Sequence, residues 1–326
     1  MACQPAGELL HGRDRQPASG ILYMRYGELI SVVIPAYDRE QTIAAAVEGV
    51  LAQSYAAIEV IVVDDGSRDD TVRIVEGMTD PRLRLLRHET NRGAAAARNT
   101  GIAAARGEWV AFQDSDDLWM PDKLDKQVAR LATSPAGTVA VYCGMNIEHI
   151  HNPSAPLRYL PGPEISPREG DILVALLRSS FVSTQTLMVR RDALLRIGGF
   201  DAALPALEDW ECMLRLAPLG PVAFVDETLV HQRFSDNSLT RSWEKRLAAQ
   251  QRVLDKHAAL FAAHPEILAG HLVTVAGALR RFGRHEEAAA RIHRALRLVP
   301  LRPWLWGIAA WLAVLQLRTR LVSGRG

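Results

Sequence analysis

The sequence predicts an α/β fold in which a mostly parallel central sheet is flanked by helices and followed by an all-α C-terminal extension. Three features support this prediction. Short apolar runs rich in β-branched residues recur between residues 30 and 112. Segments with helical spacing separate those runs, and the chain beyond residue 241 has helical patterning throughout. Strands that alternate with helices form βαβ units, whose strands pair in parallel.

The elements are predicted in chain order. Residues 1–28 have neither a regular period nor an apolar run of signal-peptide length, so we expect a flexible extension there. From residue 30 onward, buried strands alternate with helices. The strands are ISVVIPAY, IEVIVVDD, LRLLRH and WVAFQD, and the helices are Thr42–Gln53, Asp69–Met78 and Gly93–Arg106. Further strands are expected at TVAVYCGMNI and STQTLMVRR, with a final strand pair at VAFVDETLVHQRF.

The composition excludes several classes of protein. The chain has 326 residues, of which 48% are apolar and 23% charged, so disordered and collagen-like classes are excluded. Three cysteines without a C-x-x-C pair exclude a cysteine-based zinc module and fit a reducing compartment. The net charge of +1 gives no sign of a nucleic-acid binder. Basic residues are concentrated beyond residue 241, either to face an anionic partner or simply to solvate helices.

Three acidic clusters stand at the ends of predicted elements. They are Asp64-Asp65, Asp114-Ser115-Asp116-Asp117 and Glu208-Asp209. Carboxylates crowded at a strand end repel one another, and a divalent metal that also binds substrate phosphates removes that repulsion. The first strand leads into Pro35-Ala36-Tyr37 without G-x-G-x-x-G or G-x-x-x-x-G-K-[ST], which excludes a dinucleotide site and a P-loop.

A resemblance to a known family rests on four segments that occur in order: SVVIPAYDRE, VIVVDDGSRDDT, NRGAAAARNTGIAAARGEWVAFQDSDDLWMPDKL and GGFDAALPALEDWECMLRL. Through them, residues 29–240 resemble the family 2 glycosyltransferases, which have the GT-A fold. The resemblance implies an inverting transfer of a sugar from a nucleotide-diphosphate donor. It also implies a divalent metal cofactor, either Mn²⁺ or Mg²⁺.

The same resemblance implies a role for each matching residue. Asp209 matches the catalytic base, and Asp65 matches the acid that hydrogen-bonds the nucleotide base. Asp114 and Asp116 match the D-x-D metal element, with Asp116 as the more direct ligand. The remaining nucleotide contacts are Pro35, Ala36, Tyr37, Arg98 and Ser115, and further diphosphate candidates are His231 and Arg233.

Several of these residues also have a structural interpretation. Asp64 is expected to support the turn after its strand, and Asp117 and Asp122 could cap a helix that opens near residue 121. Glu208 is either an acceptor contact or a charge favoured by the helix dipole. Arg98 is either a donor contact or a surface residue on an alanine-rich helix.

The C-terminal region, residues 241–326, reads as basic helices. Leu272–Pro300 resembles one tetratricopeptide helix pair, which would pack on the catalytic domain or bind a partner. Trp304–Leu317 is uncharged but shorter than a membrane span, so it is either a buried helix or one that contacts a bilayer surface.

The sequence therefore predicts a non-processive, metal-dependent glycosyltransferase, since the chain lacks the Q-x-x-R-W motif and long apolar spans of processive members. We expect a UDP-sugar donor, a glycan or lipid-linked acceptor, and no nucleic-acid partner. The expected location is cytoplasmic, with peripheral contact to the inner face of the plasma membrane, in bacterial envelope or exopolysaccharide synthesis. The alternatives are a non-catalytic scaffold with a degenerate domain, or a nucleotidyltransferase.

Overall fold

A computed structural model describes residues 27–148, 157–232, 242–303 and 306–308. In this part of the chain nine strands form one sheet. They are β1 (Ile30–Ala36), β2 (Ile58–Asp64), β3 (Leu83–Arg87), β4 (Trp109–Phe112), β5 (Leu118–Trp119), β6 (Ala140–Ile147), β7 (Arg158–Leu160), β8 (Met188–Arg190) and β9 (Val222–Gln232).

Helices cover both faces of this sheet and form the C-terminal region. The described helices of the first part are α1 (Ile43–Leu51), α2 (Thr71–Glu76), α3 (Ala94–Ala104), α4 (Lys123–Ala132), α5 (Leu173–Arg178), α6 (Arg191–Ile197) and α7 (Glu208–Leu216). Those that follow are α8 (Trp243–Lys256), α9 (Ala258–Ala262), α10 (Pro265–Arg281) and α11 (His285–Leu298).

The sheet order is β3-β2-β1-β4-β8-β6-β9-β5, and β7 pairs with β6. The β3-β2-β1-β4 half is parallel, as the βαβ pattern predicts. In the other half β6 and β9 are parallel, whereas β5, β7 and β8 pair antiparallel to their neighbours. The α/β fold is therefore confirmed, with parallel pairing concentrated in the first half.

Burial explains the apolar strands. Every residue of β1 and β2 is buried, and two apolar clusters fill the two faces of the sheet. Side chains from alternate positions enter opposite clusters, Val33 one and Val32 the other. Burying each such side chain contributes about 1.5–3 kcal/mol. This rigid core holds the carboxyl ends of β1, β2 and β4 at one edge.

Two strand predictions are wrong in detail. The expected strand pair at VAFVDETLVHQRF is one continuous strand, β9, as far as the described residues reach. The expected strand STQTLMVRR begins as a 3₁₀ turn at Thr184–Thr186, and only Met188–Arg190 is a strand. In this turn a backbone carbonyl oxygen bonds to a side chain instead of to a neighbouring strand, since the Gln185 carbonyl oxygen accepts from Trp119 Nε1 at 3.1 Å.

The C-terminal helices pack directly on the sheet domain. The predicted helical hairpin consists of α10 and α11, joined by a turn in which Gly283 has φ +72°. Leu272 and Ile292 belong to the same apolar cluster as Trp210. No helix within the described ranges is long and apolar enough to cross a membrane. Most of Trp304–Leu317, and residues 1–26 of the predicted extension, lie outside the described residues.

Candidate active site

The carboxyl ends of β1 and β2 form the first wall of the candidate site. Pro35 and Ala36 are the last residues of β1, and the Ala36 carbonyl oxygen accepts a hydrogen bond from the Asp65 backbone N–H at 2.7 Å. Tyr37 follows at the surface, with 37% of its side chain exposed. The predicted nucleotide loop is therefore held at the sheet edge with its aromatic ring accessible.

A cavity of about 490 Å³ opens beside this loop. Tyr37 and the turn after β2 form one side, and the segment after β3 forms the other. Its size suits a ligand of nucleoside dimensions. The lining residues are Tyr37, Gly66, Ser67, Arg68, Arg87, His88, Glu89, Thr90 and Asn91.

Asp65 is buried next to residues that line this cavity, and its carboxylate accepts hydrogen bonds from nearby groups of the same chain. Its carboxylate accepts from the backbone N–H groups of Arg92, at 2.9 and 3.1 Å, and of Gly93, at 2.7 Å. Oδ1 also lies 2.6 Å from His88 Nδ1. Asp65 thus fixes the segment that forms the far wall of the cavity, and its contact with a nucleotide base stays a prediction.

Asp64 has the structural role expected for it. Both of its carboxylate oxygens lie 3.3 Å from the Ser67 backbone N–H, so they support the turn after β2. A similar bond joins the two loops, since Asp38 Oδ1 accepts from the Arg68 backbone N–H at 2.9 Å. Asp38 has φ +49°, a region that disfavours residues other than glycine.

The D-x-D element forms a turn after β4. The Asp117 N–H donates to the Asp114 carbonyl oxygen at 3.2 Å, which buries Ser115 and leaves Asp114 and Asp116 partly exposed. Arg39 approaches from the nucleotide loop, with its Nη2 3.9 Å from Asp116 Oδ2. Asp122 stands at the start of α4 without the predicted cap bond, and pairs instead with Lys126 at 2.8 Å.

Arg98 joins the D-x-D turn to the third acidic cluster. Its guanidinium donates from Nη2 to Asp114 Oδ1 at 2.7 Å and from Nη1 to Glu208 Oε1 at 2.9 Å. Although burial opposes the charge of Arg98, these two carboxylates raise its pKa further above the ordinary range. Arg98 is thus a buried cation at the centre of the site, and the surface interpretation of this residue is wrong.

The neighbouring residues of α3 explain how the two clusters meet. Asn99 binds the Phe200 backbone, accepting from its N–H at 2.7 Å and donating to its carbonyl oxygen at 2.8 Å. A Cβ at Gly199, where φ is +70°, would lie 2.3 Å from Asn99 Oδ1. A Cβ at Gly101 would lie 2.3 Å from Val33 Cγ1. Close packing of α3 against β1 and the Gly199 turn thus draws Glu208 toward Asp114.

Asp209 is held in the first turn of α7. Leu207, just before the helix, has φ +60°, a conformation that costs a non-glycine residue about 1–3 kcal/mol. Burial, reinforced by the negative charge of Glu208, raises the pKa of Asp209 to about 7. A carboxyl group with a pKa near neutrality can accept a proton from a substrate hydroxyl and release it later.

The other candidate residues are placed only in part. His231 lies within β9 rather than after it, opposite Leu118 of β5 and so near the D-x-D turn. Arg233 lies outside the described residues. Sequence analysis missed Arg39 and His88. Arg39 lies two residues after Tyr37, within the matched segment SVVIPAYDRE, and that proximity was the available signal.

A metal at the D-x-D turn would be held together with a substrate. Within the described residues, no three His, Cys, Asp or Glu side chains converge as a metal site. Mg²⁺ commonly binds through one or two carboxylates plus substrate phosphates. Asp114 and Asp116 both fit that pattern, although Arg98 pairs with Asp114 and Arg39 lies 3.9 Å from Asp116. The donor set therefore fits a metal shared with a diphosphate, which a carboxylate of the D-x-D turn would hold.

Comparison with known proteins identifies relatives of this chain. A glucosyltransferase of Escherichia coli, WfgD, described as UDP-Glc:α-D-GlcNAc-diphosphoundecaprenol β-1,3-glucosyltransferase, is 44% identical over 103 residues. That match covers 32% of this chain and 41% of the relative. The chain spans 62% of an uncharacterized glycosyltransferase from Haemophilus influenzae, at 31% identity.

Two solved structures share the fold. S. aureus TarS 1–349 in complex with UDP superposes with a TM-score of 0.62 at 22% identity, over 91% of each chain. The Pyrobaculum calidifontis mannosyltransferase PcManGT, in complex with GDP-Man and Mn²⁺, gives 0.57 at 22% identity, over 88% of this chain and 80% of that one. The family model described as glycosyl transferase family 2 matches residues 31–198. The chain is therefore a glycosyltransferase of family 2.

Proposed function

We propose that this chain transfers one sugar per encounter from a UDP-sugar to a hydroxyl of a lipid-linked glycan, with inversion at the anomeric carbon. The observation that carries the proposal is the pairing of Arg98 with both Asp114 and Glu208. It supports one reaction centre in which a donor bound at the D-x-D turn meets an acceptor at the Glu208-Asp209 pair.

Asp209 acts as the base in this proposal. An inverting transfer is a displacement in which the acceptor oxygen attacks the anomeric carbon while the bond to the departing diphosphate breaks. Asp209 takes the proton of the attacking hydroxyl, and its pKa of about 7 suits that step. The reaction needs no second carboxylate as a nucleophile, which agrees with the engagement of Glu208 by Arg98.

The donor side is assigned to the D-x-D turn and the cavity beside Tyr37. Asp116 would hold Mn²⁺ or Mg²⁺ with the donor phosphates, and the metal charge would offset the charge that develops on the leaving diphosphate. Arg39, within 3.9 Å of Asp116, is placed to contact the same phosphates. The UDP complex of TarS and the UDP-Glc donor of the E. coli relative favour UDP.

The acceptor class follows from the same E. coli relative, whose described acceptor is a sugar on a lipid diphosphate. We therefore place the reaction at the cytoplasmic face of the plasma membrane, in envelope or exopolysaccharide synthesis. The basic C-terminal region would contact that surface peripherally. Family membership argues against a nucleotidyltransferase, and the intact acidic centre argues against a degenerate scaffold.

Calorimetric titration of the full chain with UDP, GDP and dTDP, each with and without Mn²⁺, tests the donor assignment. We expect UDP to bind, to need the metal, and to bind at least about tenfold more weakly to Asp116→Ala. Asp122→Ala is the matched control, because Asp122 lies on the same segment but pairs with Lys126. Metal-independent UDP binding, or equal loss in both variants, would contradict the assignment.

A further inference from the structure

The face of helix α8 that packs on the protein core extends, in its first turn, beyond the core. Leu247, Ala249, Val253 and Leu254 are buried and lie on one face of the helix. Trp243 lies one turn before Leu247 on that face, and Arg246 lies three residues before Ala249. Nevertheless Arg246 is exposed, and Trp243 is 65% exposed. The first turn of α8 therefore overhangs the core with its inward face accessible.

The far end of α8 is anchored to the helix that carries Asp209. Glu211 of α7 is fully buried and pairs with Lys256 at 2.9 Å and His257 at 3.1 Å. Lys256 also pairs with Asp201 at 2.6 Å, in the segment that leads to α7. Because α8 is rigid between these contacts and its first turn, the overhang has a fixed position relative to Asp209.

The overhang combines an aromatic ring with cations. The Arg281 guanidinium, from the last turn of α10, lies 5.8 Å from the centre of the Trp243 ring. Burial and the negative charge of Glu208 raise the pKa of Asp209, and the positive charge of Arg246 acts in the opposite direction. Arg246 is therefore close enough to Asp209 to interact with it electrostatically. We call Trp243, Arg246 and Arg281 the α8 overhang.

The base that removes the proton of the acceptor hydroxyl must contact that hydroxyl. Groups near Asp209 that do not bind the donor are therefore expected to face the acceptor. Asp114, Asp116 and Arg98 occupy the donor side. Arg246 comes from a separate helix and is exposed, so an anionic group on the acceptor would pair with it there.

We propose that the α8 overhang is an acceptor subsite for a sugar attached to a diphosphate, in which Trp243 stacks on the sugar and Arg246 pairs with the diphosphate. The proposal rests on the function proposed above and adds the residues that recognise the acceptor. Aromatic rings bind the apolar faces of sugars, and Arg forms strong charge-assisted hydrogen bonds with phosphate oxygens. A diphosphate attached to the acceptor sugar would bring its negative charge to the exposed cations Arg246 and Arg281.

The test measures binding of two soluble ligands to the full chain in the presence of UDP and Mn²⁺. One ligand is decyl N-acetylglucosaminyl diphosphate, and the other is decyl N-acetylglucosaminide, which lacks the diphosphate. We expect the wild type to prefer the diphosphate about tenfold and Arg246→Gln to lose that preference. Trp243→Ala should weaken both ligands by a similar factor. Lys245→Gln is the matched control, because Lys245 is an exposed cation in the same turn on another face.

The proposal is overturned if the wild type binds both ligands equally, or if Arg246→Gln keeps the preference. It is also overturned if Arg246→Gln weakens UDP instead, which would place Arg246 on the donor. Binding to phosphatidylglycerol vesicles that the soluble diphosphate does not displace would show a membrane contact in its place. UDP binding to the wild type is read separately, so a failure of the donor assignment is distinguishable from a failure of this subsite.

Discussion

The proposed donor side and the proposed acceptor side of the site are built differently. The donor side, residues 30–116, is built on the parallel strands β1, β2 and β4, whose side chains are almost all apolar and buried. The acceptor side, within residues 199–232 and 242–257, is joined to it by hydrogen bonds from Arg98 and Asn99, while Glu211 holds α7 to α8 within the acceptor side. Local patterning therefore predicts the first side, whereas the second also depends on contacts between segments distant in sequence, including the apolar cluster that the two sides share.

The largest effect is expected from Arg98, the link between the two sides. Arg98→Leu leaves Asp114 and Glu208 without their shared cation, so we expect a loss of about 3–5 kcal/mol in the free energy of unfolding. Transfer activity should fall below detection. Denaturant unfolding measures the first effect, and Arg73→Leu is the control. Because its pair with Asp70 is exposed to solvent, its loss should change stability little.

Glu211 should rank next, because it attaches α8 to α7 within the acceptor side. Although burial opposes ionisation, hydrogen bonds from His257, Arg215 and Lys256 lower the pKa of Glu211 to about 2. Its stabilisation is therefore present above the unfolded pKa, near 4.5, and is lost as the pH falls toward 2. We expect Glu211→Gln to lose about 2–4 kcal/mol at pH 7 and less at pH 3. Glu287→Gln, in an exposed pair, should change little at either pH. Equal losses in both variants would contradict this account.

Asp209 should show the opposite trend. Its raised folded pKa means that its contribution to stability is present below the unfolded pKa, near 3.8, and is lost as the pH rises through about 7. Asp209→Asn should therefore raise stability by about 1–3 kcal/mol at pH 8 relative to pH 5, while activity collapses. Thermal unfolding at the two pH values measures the difference, and a stability gain that is equal at both would refute it.

The smallest effects are expected from two helical glycines, one in close contact with a strand and one with open space around it. Gly101→Ala places a Cβ against Val33 in the rigid donor side, so we expect a loss of about 1–3 kcal/mol. Gly49→Ala in α1 meets no atom within 4 Å and should gain about 0.5–1 kcal/mol. Thermal unfolding of the two variants decides the point, and a neutral Gly101→Ala would mean that α3 can move away from β1.

The sequence predicts the donor side of the structure better than the acceptor side. The buried strands of the donor side were predictable because each is a short apolar run, and the acidic clusters were predictable because they follow those runs. The partners of Arg98 were not, because they lie 16 and 110 residues away along the chain. The antiparallel pairing of β8 and the length of β9 were also missed, since both depend on neighbours that a local pattern does not identify.

The most direct test of the account is the pH dependence of transfer from UDP-glucose to decyl N-acetylglucosaminyl diphosphate with Mn²⁺, between about pH 5 and pH 9. We predict that kcat/KM falls below about pH 7 as Asp209 takes up a proton, and that the product has the inverted anomeric configuration. Asp209→Asn should lose at least about a hundredfold in rate, whereas Asp255→Asn, an exposed acid on α8, should not. Wild-type rates in Asp209→Asn, or a retained configuration, would contradict the central claim that Asp209 is the base of an inverting transfer.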